Sequence, residues 1–272
     1  MPQLDPYTII LAPNPSMMTG PGTNSIVLGG GTEGATVIDP ALDDRDYLAA
    51  LIQAGEERGG IRRILITHGH PDHIGGAAAL RERLQVPILA FSRRGTPMAD
   101  EEIGAGTIFP AGDDDTLRAI HTPGHRFDHL CFLLEKRRTL FAGDIVAGVG
   151  TVVISPPDGD LLDYLDSLQR LLEIDLREIV PAHGPTIKDP AAKLREYIAH
   201  RMLREQQVLQ TLESLPPGAQ IPQMVPFIYA DVDPKLHALA AHSVEAHLLK
   251  LEREGLVERS GDAGWMLATP TA

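Results

Sequence analysis

One stretch restricts this chain more than any other: Thr67-His-Gly-His-Pro-Asp-His-Ile-Gly-Gly76. Three imidazoles and a carboxylate follow directly on an apolar run, Ile64-Leu-Ile66, that reads as a strand. In an extended loop His68 and His70 point the same way and can share one ion. Where the chain turns into the next helix, Asp72 and His73 can be redirected to a second ion. Pro71 stiffens the turn, and Gly75 and Gly76 let other backbone approach closely. A lone histidine is more often structural than ligating. This group, set at one strand end, would need many compensating hydrogen bonds, whereas divalent cations satisfy its members together. The fold must therefore bring a strand end, a loop and a helix start to one edge, as layered α/β architecture does.

The rest of the chain supports that architecture. Residues 24–39 predict two strands joined at Gly29-Gly-Gly31. Asp43 or Asp44 can cap a helix carrying Leu48, Leu51 and Ile52, which Gly59-Gly60 stops. A strand over 61–67, an Ala-rich helix near 75–84, a strand over 86–90 and a polar segment to about 115 follow. Strands are expected over 117–122, 129–134 and 139–142, an amphipathic helix through Leu161 to Leu172, and a short strand over 178–181. From about 190 the pattern is mostly helical, with a Pro-Pro-Gly turn at 216–218. The last helix, from Ser243 to Gly255, precedes two short strands around 260–264, the pattern of a winged helix. The expected organisation is a catalytic domain over 1–189 and a winged-helix-like domain over 190–272. The final helix sets Glu245, Glu252 and Glu254 against Lys250 and Arg253, a poor phosphate surface. Packing, substrate gating or dimerisation suits it better, and a homodimer is compatible.

With 24 basic and 37 acidic residues, the net charge of −13 repels polyanions at long range. The single Cys131 excludes an intramolecular disulfide framework and, in an apolar run, reads as a small buried thiol. No apolar run approaches the roughly 20 residues of a membrane span, and the N-terminus lacks a basic leader region, so a cytoplasmic location without membrane contact is expected.

The 67–76 loop resembles the His-x-His-x-Asp-His signature of the metallo-β-lactamase superfamily. Further blocks follow in order: Asp39 in Val37-Ile-Asp-Pro40, His125 in Thr122-Pro-Gly-His125, Asp144 in Phe141-Ala-Gly-Asp144 and His183 in Pro181-Ala-His-Gly-Pro185. The resemblance implies a four-layer αβ/βα sandwich with two metal ions at one edge. His68, His70 and His125 would hold the first, Asp72, His73 and His183 the second, and Asp144 would bridge both, over a structural Asp39. A hydroxide between two ions about 3.5 to 4 Å apart is nucleophilic at neutral pH, and Asp72, catalytic alongside Asp144, can orient it or shuttle its proton. Zinc is the expected metal, while imidazole and carboxylate donors also suit iron and manganese. One departure follows His125, where the family usually has Thr or Ser and this chain has Arg126. Arg126 could meet an anionic substrate or be solvated. Asp128 or His129 could orient His125, or simply open the next strand.

Residues 143–151, 162–168, 200–207 and the C-terminal segment resemble the β-lactamase-like protein 2 group, which implies single-strand endoribonuclease action or, in relatives, thioesterase action on carrier-bound polyketides. Acidity tilts the expectation to hydrolysis of an acyl compound, a thioester, lactone or similar, by a metal-bridging hydroxide. The alternative is cleavage of single-stranded RNA, for which Arg93, Arg94, Arg126, Arg201 and Arg204 are candidate cleft cations. A third reading is a non-catalytic binding module with structural metal, although such zinc sites are usually closed, four-coordinate and thiolate-rich. His121, His200, His237, His242 and His247 lack companions at ligand spacing and read as structural.

Overall fold

The structure is a computed structural model and describes residues 5–112, 114–230, 232–261 and 264–269. Contacts group the chain into two compact units: Met1–Thr122, Asp128–Thr151 and Leu172–Ala191 form the first, and Pro123–Phe127, Val152–Leu171 and Ala192–Ala272 the second.

In the first unit, strands β1 (Tyr7–Leu11), β2 (Asn24–Gly29), β3 (Ala35–Ile38), β4 (Ile61–Leu65), β5 (Ile88–Ala90) and β6 (Glu101–Glu102) lie in that order in one sheet. Pairing is antiparallel from β1 to β3 and parallel from β3 to β6. A second sheet runs β11-β10-β9-β8-β7, from β7 (Ile108–Pro110), β8 (Thr116–His121), β9 (Leu130–Leu134), β10 (Thr139–Phe141) and β11 (Glu178–Val180). Alternation along the strands divides the apolar residues between two cores. Ile26 and Leu28 of β2 and Leu65 of β4 pack with Leu117, Phe132 and Phe141 of the second sheet. Val27 and Ile64 pack on the other face with helices α1 (Arg45–Glu56) and α3 (Ala77–Leu84). Asp44 is the cap of α1, accepting from the Asp46 and Tyr47 backbone N–H groups. Leu48 and Leu51 on its inner face are fully buried, which stabilises the helix by about 2 kcal/mol each.

The helix expected near 75–84 is α3, and a one-turn α2 (Pro71–Ile74) precedes it. Between them Gly75 and Gly76 pass so close to the segment after β3 that a Cβ on either would stand 2.5 Å from the Ala41 or Leu42 carbonyl oxygen. Strands β1, β6 and β7 lie outside the expected elements; the last two are short strands at sheet edges.

The second unit contains all but the last residue of α4 (Leu161–Leu172) and all but the first two residues of α5 (Pro190–Ser214), with α6 (Ile221–Ile228) and α7 (His237–Arg253), then a hairpin of β12 (Val257–Ser260) and β13 (Gly264–Leu267). Val208, Leu212, Met224, Ile228, Val244, Leu248, Leu251 and Trp265 form its core. Helix α7 begins at His237 rather than Ser243, because a short 3-10 turn over Pro234–Leu236, with the Asp233 side chain accepting from the Lys235 N–H, runs straight into it. Among the described residues no helix is long and apolar enough to cross a membrane.

Candidate metal centre

Asp39, Thr67, Ala142 and Pro181 lie at or just beyond the C-terminal ends of β3, β4, β10 and β11, so loops from both sheets of the first unit open at one edge. Asp39 follows β3 with φ +51, left-handed for a non-glycine residue, and is buried. Its side chain fixes that conformation. Oδ1 accepts from the Thr67 N–H at 2.8 Å, and Oδ2 accepts from Thr67 Oγ1 at 2.6 Å and His73 Nδ1 at 2.7 Å. Asp39 thus ties the end of β3 to both ends of the histidine loop.

Thr67 Oγ1 also lies 3.1 Å from His68 Nδ1 and, its hydrogen being given to Asp39, accepts from that nitrogen. His68 Nε2 is left as the ligand atom, 2.8 Å from His70 Nδ1 and 4.0 Å from Asp144 Oδ2. His68, His70 and Asp144 lie together as one candidate group in the first unit. His125 stands on the 123–127 loop of the second unit, where its Nδ1 donates to the Val153 carbonyl at 2.9 Å, making Nε2 its ligand atom.

Asp72, His73 and His183 form the second group, their ligand atoms within 4.8 Å of one another. His183 Nε2 is 3.3 Å from Asp72 Oδ2 and 3.2 Å from Asp144 Oδ1, while His73 Nε2 is 3.5 Å from Asp144 Oδ2. The Asp144 carboxylate therefore faces His68 of one group and His73 and His183 of the other. The structure thus brings His68, His70, Asp72, His73, Asp144 and His183 together at this edge of the first unit.

The charges show what the cluster wants. Burial would push His73 down, but Asp144 and Asp39 hold it well above the ordinary imidazole range. Burial would likewise lower His183, yet hydrogen bonding to Asp144 and Asp72 carries it to about 9. Burial would raise Asp144, but the His73 and His183 charges hold its carboxyl well below the usual range. Positive charge is demanded by a set of donors that is all imidazole and carboxylate. The buried Nε2 of His73 also has no hydrogen-bond partner, and its Nδ1 hydrogen already goes to Asp39. These features fit divalent cations, with Asp39 backing His73 as carboxylates commonly back metal-bound histidines.

Neighbouring residues hold this arrangement from behind. Asp128 Oδ2 accepts from the Gly69 N–H at 3.0 Å, between His68 and His70. His129 Nε2 accepts from the Asp144 N–H at 3.0 Å. Arg126 stands 3.3 Å from Asp158 with its side chain only 13% exposed, so its charge is met within the chain rather than by solvent. Thr67 and Thr122 were not singled out beforehand; the only signal was their position beside the motif histidines. Of the histidines read as structural, His121 stacks on Phe91 with ring centroids 4.0 Å apart, and none of the five belongs to a candidate metal group among the described residues.

Residues 18–183 match the family described as the metallo-beta-lactamase superfamily, and residues 221–265 match the beta-lactamase associated winged helix domain. The chain is 35% identical over 280 residues to a beta-lactamase-like protein 2 homolog of Drosophila melanogaster, covering 97% of this chain and 94% of that one. It is 32% identical to an atrochrysone carboxyl ACP thioesterase of Passalora fulva, covering 97% and 82%. Among solved structures, a metallo-beta-lactamase family protein from Thermus thermophilus superposes with a TM-score of 0.80 at 22% identity, over 97% of this chain and 99% of that one, a likeness of fold.

Proposed function

The chain belongs to the metallo-β-lactamase superfamily and is a hydrolase; from that premise we propose that it hydrolyses an acyl compound, a thioester first, with a lactone or similar ester next, at a centre for two divalent ions. His68, His70 and His125 would hold one ion, Asp72, His73 and His183 the other, and Asp144 both. Zinc is the metal that this imidazole and carboxylate set suits first.

Ions bound there supply Lewis acidity toward a water and toward the acyl oxygen. The chain's own contribution is placement. The Asp72 side chain is 29% exposed, against 12% for Asp144 and 3% for Asp39, so Asp72 is the carboxylate an incoming water meets. It orients that water and takes up its proton. Asp39 keeps the His73 hydrogen on Nδ1 and so keeps Nε2 turned to the centre. No serine or cysteine nucleophile is needed, and Cys131 is buried.

The observation that carries an acyl substrate over RNA is where the cations are used. Arg201 is 2% exposed, donating to the Val152 carbonyl and lying over the Tyr164 ring. Arg204 donates to the Ile228 carbonyl and lies over Tyr229. Arg93 Nε donates to the Ala99 carbonyl, and Arg126 pairs with Asp158. On the winged-helix segment Lys250 is buried against Glu205 and Glu254, and Arg253 pairs with Asp160. These cations serve the chain itself, whereas binding a polyanion calls for cations that face the ligand. The relative from Passalora fulva, named a thioesterase, points the same way.

The test is one purified, metal-quantified preparation assayed in parallel on acyl thioesters, lactones, single-stranded RNA and a β-lactam, with Asp72→Ala as control. Thioester or lactone turnover at two ions per chain, lost in the control, is expected. Metal-dependent RNA cleavage without acyl turnover would overturn the acyl assignment.

A further inference from the structure

Behind the candidate centre runs a chain of hydrogen bonds that the ligand set does not use. The Asp144 backbone N–H donates to His129 Nε2 at 3.0 Å. A ring nitrogen that accepts carries no hydrogen, so the His129 hydrogen is on Nδ1, which donates to Thr122 Oγ1 at 2.8 Å. Thr122 then turns its own hydrogen toward Cys131 Sγ, 3.3 Å away, and the thiol donates to the Ala142 carbonyl at 3.5 Å. The first link fixes the His129 tautomer, and the thiol's single hydrogen, given to the Ala142 carbonyl, leaves Thr122 as the donor to Sγ. The chain leaves the turn after β10 at Asp144 and returns to it at Ala142. His129, Thr122 and Cys131 are fully buried, so water does not compete for these bonds.

The residue between the two anchor points fits the same design. Gly143 has φ +49, and a Cβ there would stand 2.7 Å from His129 Nε2 and 2.9 Å from Thr67 Cβ. The imidazole occupies the space that a side chain at 143 would take, so the turn can hold its backbone against the ring. Asp144 is the one member of the cluster whose carboxylate faces both groups of donors, 4.0 Å from His68 Nε2, 3.5 Å from His73 Nε2 and 3.2 Å from His183 Nε2. Its backbone position sets both sets of distances together, and a site of this kind tolerates displacements of only about 0.5 Å.

We propose that His129, held as the Nδ1–H tautomer by Thr122 and Cys131, is a positioning residue that places the Asp144 carboxylate between the two groups of metal-binding side chains. Its consequence for metal binding rests on the two-metal reading above; the hydrogen-bond chain itself does not. His129 acts through the Asp144 peptide and touches no reacting atom.

Two substitutions separate this role from simple packing. His129→Leu fills comparable space without an acceptor, and His129→Gln restores an acceptor oxygen near the place of Nε2. In chelator competition for Co2+, followed by the visible spectrum of the bound ion, His129→Leu is expected to lose ~10 to 100-fold in affinity, the range typical of residues that orient metal ligands. His129→Gln is expected to recover most of it. Equal loss in the two variants, with melting temperatures matched, overturns the proposal.

A second readout needs neither metal nor turnover and uses the wild-type chain. Long-range 15N–1H correlation of His129 in the metal-free protein is expected to show Nε2 as the bare nitrogen and Nδ1 as the protonated one, with the pattern weakened in Thr122→Val. A hydrogen on Nε2 overturns the proposal even if the substituted chains fail to fold. A wild-type chain that takes up no metal overturns the two-metal reading, while the tautomer still decides whether His129 holds the Asp144 peptide.

Discussion

His73 donates through Nδ1 to Asp39 Oδ2 at 2.7 Å, and that single bond turns its Nε2 toward the carboxylates of Asp72 and Asp144, at 3.9 and 3.5 Å. Asp39 accepts from the Thr67 N–H as well, so no orientation of an amide at this position satisfies every donor. Asp39→Asn is expected to weaken binding of the second ion by ~10 to 100-fold while leaving the first less affected. Metal content after mild chelation reads this directly, and equal loss of both ions would show that Asp39 does not act through His73.

Lys250 and Glu205 form a buried pair in the second unit, with side chains 6% and 9% exposed and Nζ 2.8 Å from Oε2. Burial and hydrogen bonding make the pair interdependent: removing one partner strands the other charge. Lys250→Met is expected to destabilise the chain by about 3 to 5 kcal/mol in urea unfolding. Adding Glu205→Leu to it should recover most of that loss, because a buried ion pair is often replaceable by apolar side chains of similar volume. A Lys250→Met chain of unchanged stability would mean that this lysine is available to a partner after all.

How much of this could be read beforehand depended on distance along the chain. His68, His70, Asp72 and His73 lie within six residues, so local geometry alone pointed to metal. Asp144 and His183 carry no local signal of that strength. The order of the family motifs named them, and the structure sets them within 3.2 Å of one another because β10 and β11 run side by side in parallel. The hydrogen-bond partners of Asp128 and His129 were out of reach, since Gly69 lies 59 residues from the one and Asp144 lies 15 from the other. Only tertiary structure could supply those pairings. β6 and β7 were missed because two- or three-residue edge strands are too short to show a periodicity. The start of α7 was missed because His237-Ala-Leu-Ala has no capping side chain before it.

Glu178, at the start of β11, accepts from Tyr7, Thr139 and Lys188. Burial would raise its carboxyl, but the Lys188, Tyr7 and Thr139 hydrogen bonds hold it below the usual glutamate value. A carboxylate depressed on folding adds stability above its unfolded value near 4.5, and that stability is lost as pH falls through the lower folded value. Glu178→Gln is therefore expected to cost on the order of 1 kcal/mol at pH 7, with the difference from wild type closing as pH falls below the usual glutamate value. A gap that stays constant down to pH 3 would assign the loss to packing rather than charge.

In the metal-free chain the carboxylates hold His183 at about 9, so it is protonated at pH 7, and they shift His73 in the same direction. Groups raised on folding stabilise fully below their unfolded value near 6.5 and lose that contribution as pH rises through the folded one. The metal-free melting temperature is thus expected to fall as pH rises past about 9. Metal must take the same nitrogens bare, so loading at pH 7 is expected to release protons, at least the one held by His183, and apparent affinity should climb with pH until roughly that same value. Calorimetric titration in buffers of differing ionisation enthalpy counts the protons, and His183→Ala should remove about one of them. Metal uptake without proton release would mean that the ions bind elsewhere than between these imidazoles and Asp144.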